Sequence, residues 1–136
     1  MATFPAPAKG FVVTYFIVSS NVERSRRFYT EVLGGEALLE GELSIVALSN
    51  GWVTISTGGG PTADKPAVTL DVPTNPNRVS SFLNIRVADI DWAYRTWSSR
   101  GAQFLTPPID HGGEIRCYMR DPDGHLIEVG QLTAAP

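Results

Sequence analysis

The sequence predicts an α+β fold made of two tandem βαβββ modules. A strand, a helix and three further strands follow one another twice along the chain. The helix-capping residues Asn21 and Asp89 are 68 residues apart, and so are the helix residues Tyr29 and Trp97. Between the copies, residues 58–77 hold three glycines and four prolines, as a connector does. Two copies of a unit that cannot close its own sheet imply a pseudo-symmetric pair.

The first module is predicted over residues 11–57. Its first strand, 11–18, is rich in β-branched and aromatic residues. Asn21 stands at an N-cap position, and apolar residues then recur at helical spacing until Gly34 and Gly35 end the helix. Shorter apolar runs predict the remaining strands, 36–40, 43–48 and 52–57.

The second module is predicted over residues 80–131. A strand at 82–87 precedes the N-cap Asp89, and a helical apolar stripe runs from Ile90 to Gly101. The remaining strands are expected at 103–105, 115–120 and 125–131. Outside the modules we expect a linker over 58–79, a flexible N-terminal tail over 1–10 and a C-terminal tail over 132–136.

Composition and charge exclude two classes of binding partner. The chain has 136 residues, 43% of them hydrophobic, and a net charge of −3. It offers no basic stripe for nucleic acid and no polybasic patch or spanning segment for a membrane. With one cysteine, Cys117, and no signal-peptide pattern, we expect a cytoplasmic protein whose partner is a small molecule.

A turn and a lone carboxylate stand out near the C-terminus. In Asp121–Gly124, Pro122 presets its φ and Gly124 supplies a positive φ, which predicts a tight hairpin. The strand that follows carries Glu128 between two apolar residues. A carboxylate in such surroundings forms an ion pair, binds a ligand or becomes protonated.

Two motifs carry a family resemblance. The pattern V-x-x-[ND]-V-E-R-S-x-x-F-Y-x-x-V-L-G-G at 18–35, with R-D-P-D-G-H-L-I-E at 120–128, resembles the vicinal oxygen chelate superfamily. That group includes glyoxalase I, extradiol dioxygenases, fosfomycin-resistance enzymes and bleomycin-resistance proteins. The resemblance implies that the modules form a cupped, partly open barrel, usually completed by homodimerisation.

The resemblance also implies where metal ligands would lie, namely in the first and last strand of each module. The first-strand positions, seven residues before the helix caps, are Thr14 and Phe82. The last-strand positions are Glu128 and, by an offset of 73 residues, Ile55. Three of the four are not metal ligands, so we expect no metal and no other cofactor.

Strand alternation predicts a ligand-binding face. If Thr14 and Phe82 face the cup, the mixed polar and aromatic residues of the same parity face it too, as an organic ligand requires. Loop residue His111 can turn toward the same space. The candidate ligand-binding residues are Thr14, Phe16, Ile55, Phe82, Asn84, Arg86, His111, Arg116, Tyr118 and Glu128.

Three functions remain open. The chain can bind a small, partly aromatic molecule in its cup, by sequestration. It can be an enzyme of the same fold, a lyase, isomerase or dioxygenase, with Glu128 as catalytic base or metal ligand. It can also be a structural dimer module whose cup is filled, with Glu128 in an ion pair with Arg86 or Arg116.

Overall fold

The structure of the protein is a computed structural model that describes residues 3–134. The chain divides into two compact units between Thr74 and Asn75. The predicted tails, 1–10 and 132–136, lie partly outside the described residues. In the described part of the N-terminal tail, the ring centroid of Phe4 lies 6.1 Å from that of Trp52.

Unit one contains the predicted strand, helix and three strands. Its elements are β1 (Thr14–Val18), α1 (Val22–Arg27), β2 (Glu36–Leu39), β3 (Ser44–Ala47) and β4 (Trp52–Ser56). The Asn21 side chain caps α1 by accepting a hydrogen bond from the Arg24 amide, and the helix continues as a π-helical turn over Phe28–Val32. The sheet order is β1-β4-β3-β2, with β1 and β4 parallel.

The pairing of β1 with β4 corrects the position of Ile55. Ile55 lies beside Ile17, and both are buried on the face covered by the helix. The side of this strand that faces a ligand was therefore predicted wrongly. The last strands of the two modules are related by an offset of 74 residues, and the prediction used 73. Thr54 pairs with Phe16 as Glu128 pairs with Asn84, so Thr54 is the true counterpart of Glu128.

Unit two repeats this arrangement. Its elements are β5 (Leu83–Arg86), α2 (Ile90–Ser99), β6 (Gln103–Phe104), β7 (Ile109–Asp110), β8 (Glu114–Arg120) and β9 (Leu126–Leu132). Its sheet order is β5-β9-β8-β6, and β7 pairs with β8. Strand β7 was not predicted, because two residues after a Pro-Pro pair are too short to show alternation. Strand β9 runs one residue into the segment predicted as a tail.

The predicted turn at Asp121–Gly124 joins β8 to β9. Oδ1 of Asp121 accepts hydrogen bonds from the amides of Asp123 (3.0 Å) and His125 (2.9 Å). Gly124 has φ +92°, a conformation that favours glycine. The second of the two motifs that carry the family resemblance therefore contains a turn that fixes the register of Glu128.

Helix α2 covers one face of the unit-two sheet. Its buried residues Ile90, Ala93 and Trp97 complete a core with apolar strand residues such as Met119 and Ile127. Side chains of opposite parity lie on the other face of the sheet. In residues 3–134 no helix is both long and apolar enough to cross a membrane.

Candidate functional site

Strand pairing in unit two places Glu128 between two polar neighbours. Strand β5 pairs Asn84 with Glu128 from one side, and β8 pairs Tyr118 with it from the other. Residues paired across strands share a face, so all three side chains lie opposite α2. Strand β5, which is distant in sequence, and the neighbouring hairpin strand β8 thus both bring a polar side chain to one carboxylate on β9.

Both oxygens of Glu128 are held by these neighbours. The Asn84 amide donates a hydrogen bond to Oε1, and the Tyr118 hydroxyl donates one to Oε2 at 2.7 Å. Only 8% of Glu128 is exposed. The hydrogen bond to Glu128, with burial, raises the pKa of Tyr118, because ionising the phenol would remove the donor and place two negative charges together. Tyr118 is therefore a neutral donor at physiological pH.

Arg86 extends the network through two carboxylates. Its Nη1 lies 3.5 Å from Oε1 of Glu128 and 2.7 Å from Oε1 of Glu114. Nη1 of Arg116 lies 3.4 Å from the other Glu114 oxygen. The hydrogen bond from Arg86 lowers the pKa of Glu114 most, with a smaller contribution from Arg116. The prediction that Glu128 pairs with Arg86 or Arg116 is confirmed for Arg86.

The four charged side chains alternate in sign, and the two uncharged ones, Asn84 and Tyr118, donate to Glu128 at one end. We call this set the Glu128 network. Its members are Asn84, Arg86, Glu114, Arg116, Tyr118 and Glu128. Two arginines balance two glutamates, so the network has no net charge.

Exposed apolar side chains border the network on the same face. Phe82 makes an edge-to-face contact with Tyr118, with ring centroids 6.1 Å apart. Ile109 pairs with Arg116 and is 48% exposed, while Leu132 pairs with Glu114 and is 61% exposed. Leu105, 52% exposed, follows β6 beside Tyr118. The network together with Phe82, Leu105, Ile109, Gly130 and Leu132 is named the Glu128 face.

Sequence reasoning missed several members of this face. Glu114 and Gly130 were not candidates, although the alternation Glu114, Arg116, Tyr118 and Arg120 along β8 was readable. Gly130 likewise follows Glu128 by two residues and so shares its face. Leu105 ended a predicted strand but was not a candidate, and Ile109 lay in a segment without detectable periodicity.

Besides Ile55, the structure places three predicted residues off the Glu128 face. Thr14 and Phe16 lie in unit one, where Oγ1 of Thr14 is 2.7 Å from Oγ1 of Thr54 and Phe16 is half-exposed. His111 lies exposed in the turn between β7 and β8, where its backbone amide donates to Glu114 O at 2.8 Å. By contrast, the other candidates of unit two lie together on the Glu128 face, namely Phe82, Asn84, Arg86, Arg116, Tyr118 and Glu128.

The side chains around Glu128 do not fit a divalent metal. Its oxygens already accept from Asn84 and Tyr118, and the Arg86 guanidinium occupies the cationic position beside it. The described residues contain no cluster of three or more His, Cys, Asp or Glu side chains suited to hold a metal ion. A carboxylate in this setting holds its neighbours in place.

A groove of about 530 Å³ lies on unit one, and none of the predicted site residues lines it. Its charged lining is Arg26 with Glu23, Glu40 and Glu42. Arg26 is itself engaged, since its Nε lies 3.5 Å from Glu40 and its Nη1 donates to Ser44 Oγ at 3.1 Å. No aromatic side chain lines the groove, and Val22 is its one apolar side chain larger than glycine, so the Glu128 face is the better candidate.

Comparisons with known proteins agree with the fold. The family model of the Glyoxalase/Bleomycin resistance protein/Dioxygenase superfamily matches residues 12–129. A protein of that description from Nocardioides has a TM-score of 0.73 at 18% identity, covering 97% of this chain and 89% of that chain. No curated protein sequence matches the chain.

Two further solved structures are similar over nearly the whole chain. TnmS3, an antibiotic binding protein from Streptomyces sp. CB03234, has a TM-score of 0.65 at 19% identity and covers 93% of this chain and 98% of its own. The fosfomycin resistance protein FosX from Mesorhizobium loti has a TM-score of 0.63 at 19% identity, with 92% and 93% coverage. At these identities the likeness concerns the fold.

Proposed function

We propose, since the chain belongs to the Glyoxalase/Bleomycin resistance protein/Dioxygenase superfamily, that it binds a small, partly aromatic organic molecule on the Glu128 face and does so without a divalent metal. The observation that carries this proposal is the engagement of Glu128 by Asn84, Tyr118 and Arg86. These neighbours are an amide, a phenol and a guanidinium, so they supply Glu128 with hydrogen-bond donors and not with the further anionic or imidazole ligands that a divalent metal site needs.

The composition of the face suits an amphipathic ligand. Phe82 and Tyr118 provide aromatic surface, and Ile109 and Leu132 provide exposed aliphatic surface beside fixed polar groups. Because the network holds its polar groups in place in the free protein, little ordering entropy is lost on binding. Sequestration without chemical change is the simplest use of such a surface, and the antibiotic binding protein TnmS3 shares the fold.

A second candidate is catalysis by Glu128 as a general base. The observation that favours it is the position of this mostly buried carboxylate among polar groups on the face. FosX, a resistance protein, also shares the fold. Unaltered turnover of a proven substrate by Glu128→Gln would eliminate this candidate.

Metal analysis combined with thermal shift tests the proposal. Protein purified without chelator is analysed for bound ions and then melted against a library of aromatic metabolites and antibiotics, with and without EDTA. We expect no stoichiometric divalent ion and a rise in melting temperature that EDTA leaves intact, because a ligand of the native state stabilises it by mass action. One ion per chain, lost in Glu128→Gln, would contradict the proposal.

We also propose that the protein is a cytoplasmic homodimer, as the family resemblance implies. Strands β1 and β5 each stand at the end of their own sheet, where a further strand or subunit can add. Sedimentation equilibrium at micromolar concentration should give twice the chain mass of 14.7 kDa. A monomer under those conditions would count against the dimer.

A further inference from the structure

The charge pattern of the Glu128 face points to a more specific ligand class, and this inference rests on the proposed binding function. We propose that the ligand carries an anionic group, such as a carboxylate, that binds Arg116 while its apolar body lies over the bordering side chains. Arg116 then acts as the specificity-determining residue of the face.

The two arginines of the network are satisfied to different degrees. Arg86 contacts two carboxylates, one of them at 2.7 Å. For Arg116, the ion pair found in the described part of the chain is a single 3.4 Å contact with Glu114. Its side chain is 35% exposed, and a guanidinium has five N–H donors. Arg86 is also exposed, at 42% of its side chain, but two carboxylates hold it, whereas Arg116 has one longer contact and is the more weakly held cation of this face.

Glu114 stays paired with a cation when its ion pair with Arg116 breaks. Its other oxygen lies 2.7 Å from Arg86, so the carboxylate retains a counter-ion when Arg116 turns to a ligand. The network alternates in sign from Arg116 through Glu114 and Arg86 to Glu128, which makes its Arg116 end the positive one. An anion is complementary to that end, and a planar carboxylate matches the guanidinium fork.

The neighbours of Arg116 define the rest of the ligand. Ile109 lies across the strand pair from it and is half-exposed. Tyr118 lies two residues along β8, which separates its position from that of Arg116 by about 7 Å. Phe82 contacts Tyr118, so aromatic surface lies on one side of Arg116 and the aliphatic Ile109 lies on the other. A ligand whose anionic group binds Arg116 can place an aromatic or aliphatic part against either of them. The ligand class is thus an amphipathic organic acid.

A pair of probes with the same shape, in which a carboxylate is replaced by a neutral amide, tests this inference. We would titrate 3-phenylpropionate and its neutral amide, 3-phenylpropionamide, into the full chain by NMR or calorimetry. The acid should bind more tightly than the amide by about tenfold, the range expected for one charge-assisted hydrogen bond. Arg116→Gln should remove this difference, and Arg116→Lys should retain part of it. The exposed helix residue Arg95 supplies the matched control, Arg95→Gln, which should change nothing.

Glu114→Gln separates ligand binding from a structural role of Arg116. Removing the competing carboxylate should tighten binding of the acid, whereas Arg116→Gln should weaken it. A purely structural ion pair would make both substitutions weaken binding or leave it unchanged, which would overturn the inference. Equal binding of acid and amide would also overturn it while leaving the proposed function standing. Binding of neither probe at millimolar concentration would count against both.

Discussion

The guanidinium of Arg86 lies against the backbone of Gly130, its partner in the pairing of β5 with β9. A Cβ added at position 130 would lie 2.6 Å from Cζ of Arg86 and 2.9 Å from Oε1 of Glu114, closer than such atoms approach. Glycine is needed here for space, since Gly130 is absent from the positive-φ glycines of the described chain. Its missing side chain makes room for the ion pair between Arg86 and Glu114.

Gly130→Ala should displace Arg86 without unfolding the protein. The clash falls on the end of a flexible side chain, so we expect the free energy of unfolding to change by about 1 kcal/mol or less. With Arg86 moved away, the pKa of Glu114 should rise toward its ordinary value. Carbon-detected NMR titration of the Glu114 carboxyl checks this, and an unchanged titration midpoint would show that Arg86 keeps its place.

Tyr118→Phe should destabilise the protein in a pH-dependent way. The lost hydrogen bond to Glu128 is worth about 1.5–3 kcal/mol because its acceptor is charged. The pKa of Tyr118 is raised above its ordinary value near 10, so its contribution is complete below about pH 10 and is lost as pH rises through the folded-state pKa.

Urea unfolding of wild type and Tyr118→Phe at several pH values measures this difference. The gap between the two curves should narrow above about pH 10. Tyr94→Phe, on α2 with its ring against Phe104, controls for the loss of a phenol outside the network. A gap that stays constant through the alkaline range would contradict the assigned role of the Tyr118 hydroxyl.

Local chemistry made most of the fold predictable. Asn21 and Asp89 cap their helices as expected, because short polar side chains at these positions accept from amides three residues ahead. The turn at Asp121–Gly124 was readable for the same reason. Elements with a strong local signal were therefore found within a few residues of their bounds.

The site was less predictable because it depends on register between strands. The error at Ile55 came from a single-residue difference in offset, and in a strand one residue exchanges the two faces. Glu114 joins the network through the pairing of β8 with β9 and through Arg86 on β5, which sequence spacing does not reveal. Strand β7, which brings Ile109 to the face, is too short for a periodic signal.

Cys117 should be unreactive in the folded protein. It is 2% exposed, and burial raises the pKa of its thiol to about 11, so the nucleophilic thiolate is scarce at neutral pH. A disulfide reagent at pH 8 should modify it slowly in the native state and rapidly in guanidinium chloride. Rapid native labelling would show that the strand holding Cys117 opens readily.

Gly58→Ala and Gly60→Ala should differ strongly in stability. Gly58 has φ +78°, and a Cβ there would collide with the Leu70 carbonyl and lie 2.8 Å from Cγ1 of Val18. We expect Gly58→Ala to cost roughly 2–4 kcal/mol, since backbone strain and a backbone clash combine. Gly60 faces open space, so Gly60→Ala should change stability by about 0.5 kcal/mol or less. Equal urea midpoints would contradict the close approach at Gly58.

NMR mapping of ligand binding tests the central claim most directly. Amide spectra of metal-stripped protein would be recorded in EDTA while 3-phenylpropionate is added. Ligand binding on the Glu128 face without metal predicts that the largest shifts fall at residues 82–86, 105–118 and 128–132. Shifts centred on the Arg26 groove of unit one, or shifts that appear only after a divalent cation is added, would contradict the account.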